Sequence, residues 1–137
     1  MIRAVVDTNV LVSAMISSAG NEALLIMAIN QGLIMPCFSV EILEEYADVL
    51  LRPKFGFQGT EVDALIDLLR RRGSLLDPAP PVRSSPDPDD DMFIACALAG
   101  KVDFLVTGNK RHFPQAQYAD ARVVNAAELL EFITLEL

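Results

Sequence analysis

Four carboxylates fall within five residues, Asp87, Asp89, Asp90 and Asp91, and the nine residues that follow, Met92 to Gly100, carry no charge. A helix over Met92 to Ala99 is apolar or small on every face, so it demands cover on all sides, and Gly100-Lys101 reads as its stop. Phe104-Leu105-Val106 then reads as an equally buried strand, leaving Thr107-Gly108-Asn109 at its carboxyl end. The acid cluster at the helix mouth admits two readings. The helix dipole favours first-turn acids by about 0.3–1 kcal/mol each, yet four crowded carboxylates repel one another, and a divalent cation would relieve that. Alternatively the turn is simply solvated, with Asp89 or Asp90 as an ordinary helix cap.

Elsewhere strands and helices alternate. Ile2 to Val6 is a β-branched apolar run that ends in Asp7-Thr8-Asn9 before apolar periodicity resumes at Val10, Leu11, Ala14 and Met15. In open α/β sheets, sites form at the carboxyl ends of parallel strands, where Asp7 would sit; the competing reading is that Asp7 or Asn9 caps the helix. Asn21 to Gln31 reads as a second helix, Leu33 to Cys37 as a second strand, and Ser39 to Leu51 as a helix that stops before Arg52-Pro53. On that helix Glu44 and Glu45 flank the apolar arc on opposite sides, and periodicity does not choose between them. Lys54 to Gly59 reads as a loop. Thr60 to Arg72 follows as an amphipathic helix with a Thr-x-x-Asp start resembling a capping box, and its Arg70-Arg71-Arg72 ending suits either the helix dipole or a nucleic acid. Ser74 to Asp77 predicts a short edge strand and Pro78 to Pro88 a proline-rich loop. Lys110 to Asp120 reads as a polar loop, Val123-Val124 as a last short strand, and Asn125-Ala126-Ala127-Glu128 as a capping box that opens a helix to about Leu135. The pattern predicts one α/β domain over residues 1–137, a sandwich with a mainly parallel sheet.

Composition narrows the chemistry. The net charge of −8 argues against coating nucleic acid by bulk electrostatics, although acids gathered around a metal count toward that total. No apolar run reaches the length of a membrane span, and a strand begins by Ile2, so the expected location is cytoplasmic, with no membrane partner. Cys37 and Cys96 lie in apolar surroundings and are expected to be reduced core residues. The apolar excess, 52% of residues, suggests surface hidden in a homodimer or partner interface. The chain has no Gly-rich phosphate loop, and with a single histidine, His112, a zinc site, a Cys-His nucleophile or a serine triad is poorly supported. What remains is a carboxylate site built from Asp7, a glutamate of the Ser39–Leu51 helix and the acids near Asp91, with oxygen ligands suited to Mg²⁺ or Mn²⁺ and hence to phosphoryl chemistry.

Five segments in order resemble one family: VVDTNV at residues 5–10, Ser39 to Glu45, the Leu50-x-Arg-Pro-Lys stretch, DPDDDMFIACAL at 87–98 and LVTGNKRHF at 105–113. Together they resemble the PIN-domain ribonucleases, particularly the VapC-like toxins of prokaryotic toxin–antitoxin pairs. The resemblance implies a three-layer PIN-like sandwich whose acids match Asp7, Glu45 and Asp91, and it selects Glu45 over Glu44. It also implies a fourth acid after the strand ending at Val106, where this chain carries Asn109, a neutral carbonyl that removes a charge from the site. That puts a second metal ion in question, with Asp87, Asp89 or Asp90 as possible replacements and Asp90 nearest in sequence. The implied activity is hydrolysis of single-stranded RNA through Mg²⁺ or Mn²⁺ held by Asp7, Glu45, Asp91 and Asp90, with a small antitoxin protein as partner. Thr8, Asn9 and Thr107 serve as support, and Lys110, Arg111, Arg52 and Lys54 as contacts to RNA. Two readings compete: a PIN-fold RNA- or protein-binding module that has lost activity, suggested by Asn109, and a phosphomonoesterase with Asp7 as nucleophile, disfavoured by Asn9 where a second Asp is expected.

Overall fold

The computed structural model describes residues 1–78 and 90–136. The proline-rich stretch, together with Asp87 and Asp89, lies almost entirely outside them. Six strands form one sheet: β1 (Ile2–Val6), β2 (Ile34–Phe38), β3 (Ser74–Leu75), β4 (Phe104–Val106), β5 (Gln117–Tyr118) and β6 (Ala121–Val124). Their spatial order is β3-β2-β1-β4-β6-β5, with every pairing parallel except that of β5 with β6. The strongly apolar β1 and β4 lie side by side at the centre, Val6 opposite Val106, and Val106 opposite Val124 of β6. Parallel strands buried on both faces select such continuous β-branched and aromatic runs.

The order reverses between β1 and β4. From β1 the chain builds outward through β2 and β3, then returns to the other side of β1 as β4, which makes the β1–β4 boundary a topological switch point. Ligands of open α/β sheets bind outside the carboxyl ends of the strands at such a point. Asp7 leaves β1 there and Thr107 leaves β4, and each donates its backbone N–H to the neighbouring strand, Asp7 to the Val106 carbonyl at 2.8 Å and Thr107 to the Val124 carbonyl at 2.9 Å. The two side chains are thereby fixed at one edge of the sheet.

The helices are α1 (Thr8–Ile16), α2 (Asn21–Asn30), α3 (Val40–Leu50), α4 (Gly59–Arg72), α5 (Asp91–Gly100) and α6 (Ala126–Glu136). Leu11, Leu25, Ile29, Ile42, Leu50, Leu69, Cys96 and Leu129 bring them onto the sheet and are fully buried. The Ser39 hydroxyl accepts from the Ile42 N–H at 3.2 Å and caps α3. Asn125 and Glu128 cap α6 reciprocally, at 2.8 and 2.9 Å. At Gly73, where α4 meets the sheet, a Cβ would overlap the Pro36 carbonyl and the Phe38 ring, so the position admits no side chain.

Several local expectations are corrected. Helix α4 begins at Gly59 after Gln58, so Thr60 lies inside the helix and its Thr-x-x-Asp pattern is not the cap. Helix α5 does end at Gly100, but the left-handed residue is Lys101, at φ 47° and ψ 48°; Gly100 instead leaves room for Leu76, which a Cβ would approach to 2.6 Å. The segment read as a polar loop holds a 3₁₀ turn over Lys110–His112, strand β5, and the buried rings of Phe113 and Tyr118. Those rings interlock edge to face with each other and Phe113 does so with Phe93 of α5, at centroid distances of 6.4 and 6.5 Å, an arrangement worth about 0.5–1.5 kcal/mol per pair. Cys37 and Cys96 are buried free thiols, and burial pushes the Cys96 thiol up to about 12. Among the described residues no single helix is long and apolar enough to cross a membrane.

Candidate active site

The strand-to-helix turn after β1 begins with Asp7, which is 3% exposed and makes no side-chain cap bond to α1. Its Oδ2 instead accepts a hydrogen bond from the Thr107 hydroxyl at 2.8 Å and lies 3.1 Å from Nδ1 of His112. Thr107 is fully buried; its oxygen also accepts from the Asn109 N–H at 3.1 Å and lies 3.1 Å from the Asn109 carbonyl, a longer approach than that to the carboxylate. The contact is a hydrogen bond to the carboxylate in the tautomer that carries its ring proton on Nδ1. Asn9 ties the same two loops together: its Oδ1 accepts from the Gly108 N–H at 2.9 Å. A capping role for Asn9 gives way to this staple.

Helix α3 supplies the next acid. Tyr46 is buried, and its hydroxyl donates to the Val6 carbonyl, the residue just before Asp7. Burial, with the Asp7 charge adding to it, holds that phenol well above the usual tyrosine range. The bond fixes α3 against the end of β1, so the half-buried Glu45 next to Tyr46 opens onto a cleft of about 400 Å³ that Asp7, Thr8, Asp90 and His112 also line. Glu44 faces a different groove, shared with Asp63, Asp67 and Arg70 of α4. Of the two glutamates that periodicity leaves open, Glu45 is therefore the one that shares a cleft with Asp7.

At the start of α5 both Asp90 and Asp91 are buried. Asp90, the residue preceding the first turn, lines the cleft, and its Oδ1 lies 4.0 Å from His112 Nδ1. One ligand atom from each of Asp7, Asp90 and His112 falls within 4.8 Å of the others. Asp91, buried one residue further along, is not among the residues that line the cleft. Adjacent residues at a helix start point in directions about 100° apart, and that rotation separates the two side chains.

The donor set fits a divalent cation. It offers carboxylate oxygens and an imidazole nitrogen, a combination that takes first-row ions such as Mn²⁺. Beside it the Thr8 hydroxyl, in a residue 6% exposed that lines the cleft, is buried with no hydrogen-bond partner among the described residues. A buried hydroxyl without a partner costs roughly 1–3 kcal/mol, which a ligand or its water shell would return.

The remaining sequence candidates separate. Asn109 is exposed, its Oδ1 accepts from the Arg111 N–H at 3.1 Å to cap the 3₁₀ turn, and it does not line the cleft. Its side chain therefore organises the loop that carries His112. Lys110 forms an ion pair with Glu128 at 2.7 Å, turned toward α6, while Arg111 is exposed. Arg52 and Lys54 do line the cleft, Arg52 paired with Asp48 at 3.2 Å and Lys54 over the Phe55 ring at 5.1 Å. His112 is the residue that the sequence assigns no role. Its being the sole histidine, three residues beyond the strand-end Asn109, was the available signal, but the 3₁₀ turn that swings it back toward Asp7 is not visible in periodicity.

Carboxylates and an imidazole thus converge at the switch point of a mainly parallel α/β sandwich, an arrangement that could hold a metal ion. The sequence matches the family model of the PIN domain over residues 3–111, most of the chain, and the protein belongs to the PIN-domain family. PIN domains are generally metal-dependent nucleases, and nucleic acid is the class of partner that membership implies. No curated protein matches the sequence.

Proposed function

We propose that this protein is a metal-dependent ribonuclease that hydrolyses phosphodiester bonds of single-stranded RNA with Mg²⁺ or Mn²⁺. We further propose that it is the toxin of a toxin–antitoxin pair, acting in the cytoplasm and held in check by a small antitoxin protein. The observation that carries the nuclease reading is the gathering of Asp7, Asp90 and His112 within 4.8 Å in a cleft that also contains Glu45, Arg52 and Lys54. The toxin reading rests on the order and spacing of the five sequence segments.

Asp7, Glu45 and Asp90 are the carboxylates that would hold the ion, with Asp91 buried one residue further along α5. A bound divalent ion supplies Lewis acidity toward a phosphodiester oxygen and lowers the pKa of a coordinated water. The chain's own groups do the rest. Thr107 fixes the Asp7 carboxylate, Asn9 locks the loops that carry both, and Thr8 offers a hydroxyl to a ligand in the cleft. Arg52 and Lys54 meet the phosphates, contacts that position the strand without reading its sequence. Exposed Ile16 on α1 and Leu24 and Met27 on α2 support a homodimer interface.

The test is cleavage of a labelled single-stranded RNA pool with Mn²⁺, with Mg²⁺ and with EDTA, comparing wild type with Asp7→Asn, Asp90→Asn and Asp91→Asn. Cutting that requires metal and is lost in Asp7→Asn while the fold persists supports the nuclease. The two α5 variants then identify which acid serves. A wild type no more active than Asp7→Asn refutes the nuclease reading and favours an inert binding module.

A further inference from the structure

Resting on that reading of the cleft as a metal site, we infer that His112 is itself a ligand, and that it biases the site toward Mn²⁺ over Mg²⁺. An all-carboxylate cleft would hold either ion, whereas an imidazole nitrogen favours the transition metal, because Mg²⁺ binds oxygen donors almost exclusively. Donor atoms bound at roughly 2.0–2.2 Å around one ion lie about 2.8–3.1 Å apart when at right angles and about 4.0–4.4 Å apart when opposite. His112 Nδ1 lies 3.1 Å from Asp7 Oδ2 and 4.0 Å from Asp90 Oδ1. Both spacings fall within what a single ion accommodates.

A ring proton on Nδ1 fits the hydrogen bond to Asp7. An ion bound at Nδ1 would take the place of that proton, with the ring proton then carried on Nε2. The ring is held for this by its neighbours. Phe113, next in sequence, is locked among Phe93 and Tyr118, and the Asn109 cap fixes the start of the 3₁₀ turn. The Thr8 hydroxyl on the same cleft, buried without a partner among the described residues, independently points to a ligand there.

The alternative role, a positioning residue that only hydrogen-bonds Asp7, makes a different prediction. Loss of an outer partner weakens every metal about equally, by about 10- to 100-fold. Loss of a nitrogen ligand weakens Mn²⁺ selectively. The experiment is electron spin-echo envelope spectroscopy of the protein loaded with Mn²⁺, alongside calorimetric titration of Mn²⁺ and Mg²⁺ into wild type and His112→Asn. The expected result is ¹⁴N modulation from a directly bound imidazole in wild type and none in His112→Asn. Mn²⁺ affinity should fall about tenfold or more in the variant, while Mg²⁺ affinity changes by less than about threefold. If Mn²⁺ binds wild type without ¹⁴N modulation, or both metals weaken alike, His112 is not a ligand although the metal site stands. If no Mn²⁺ binds wild type at millimolar concentration, this inference and the metal-dependent nuclease fall together.

Discussion

Replacing Thr107 with valine keeps its volume in the core and removes one oxygen. That oxygen donates to the buried Asp7 carboxylate at 2.8 Å and accepts from the Asn109 N–H at 3.1 Å, in a residue with no solvent exposure. A hydrogen bond to a charged group contributes about 1.5–3 kcal/mol and a neutral one about 0.5–1.5 kcal/mol, so the change should cost roughly 2–4 kcal/mol. Against a total stability of about 5–15 kcal/mol the protein stays folded. At this length each kcal/mol lowers Tm by about 3–4 °C, so the expected drop is roughly 10 °C. Urea unfolding followed by circular dichroism in EDTA reads the free energy directly. Repeating it in Asp7→Asn and in the double variant isolates the coupling, expected at about 1–2 kcal/mol. A loss below about 0.5 kcal/mol, or no coupling, would refute the claim that Thr107 anchors Asp7.

The ion pair from Lys110, with the cap bond to Asn125, holds the Glu128 carboxyl below its ordinary 4.5. A carboxyl lowered in the folded state contributes stability that is complete above its unfolded pKa and is lost as pH falls through the folded one. Glu128→Gln should therefore cost at most about 1 kcal/mol at pH 7, since the side chain is 46% exposed, and close to nothing near pH 3. A loss that is the same at both pH values would contradict the pairing. Burial raises both thiols, so a disulfide reagent at pH 8 should label neither Cys37 nor Cys96 in the native protein and both after denaturation. Rapid native labelling would show that one of them is reachable.

The parts of this fold that could be read in the sequence are those fixed by neighbours along the chain. Phe104–Val106 announces itself as a central strand because burial on both faces leaves no polar position, and Ile2–Val6 does so with Arg3 as its one charged residue. The Asn125–Glu128 box works because its partners are three residues apart. What was not legible depends on contacts between distant segments. Thr60 offers a cap as good as that of Asn125 on paper, yet the helix starts one residue earlier, at Gly59. The Lys110–Asp120 stretch reads as polar because Phe113 and Tyr118 are isolated among charged and turn residues, and only the Phe93 ring makes them core. In the cleft, Asp7 was legible as a strand-end acid, and Glu45 only through resemblance. The opening of Asp90 onto the cleft, the turning of Lys110 toward Glu128 and the approach of His112 are set by rotations of one residue, which no periodicity resolves.

The central claim is that this cleft is a metal centre, and the most direct measurement is an anomalous difference map from a crystal of the wild-type protein soaked in Mn²⁺. The account predicts a peak at the carboxyl ends of β1 and β4, bounded by Asp7 and Asp90, with Glu45 reaching it directly or through water. A fully soaked crystal with no peak in the cleft, or with its only peak among Glu44, Asp63 and Asp67 in the neighbouring groove, would contradict it.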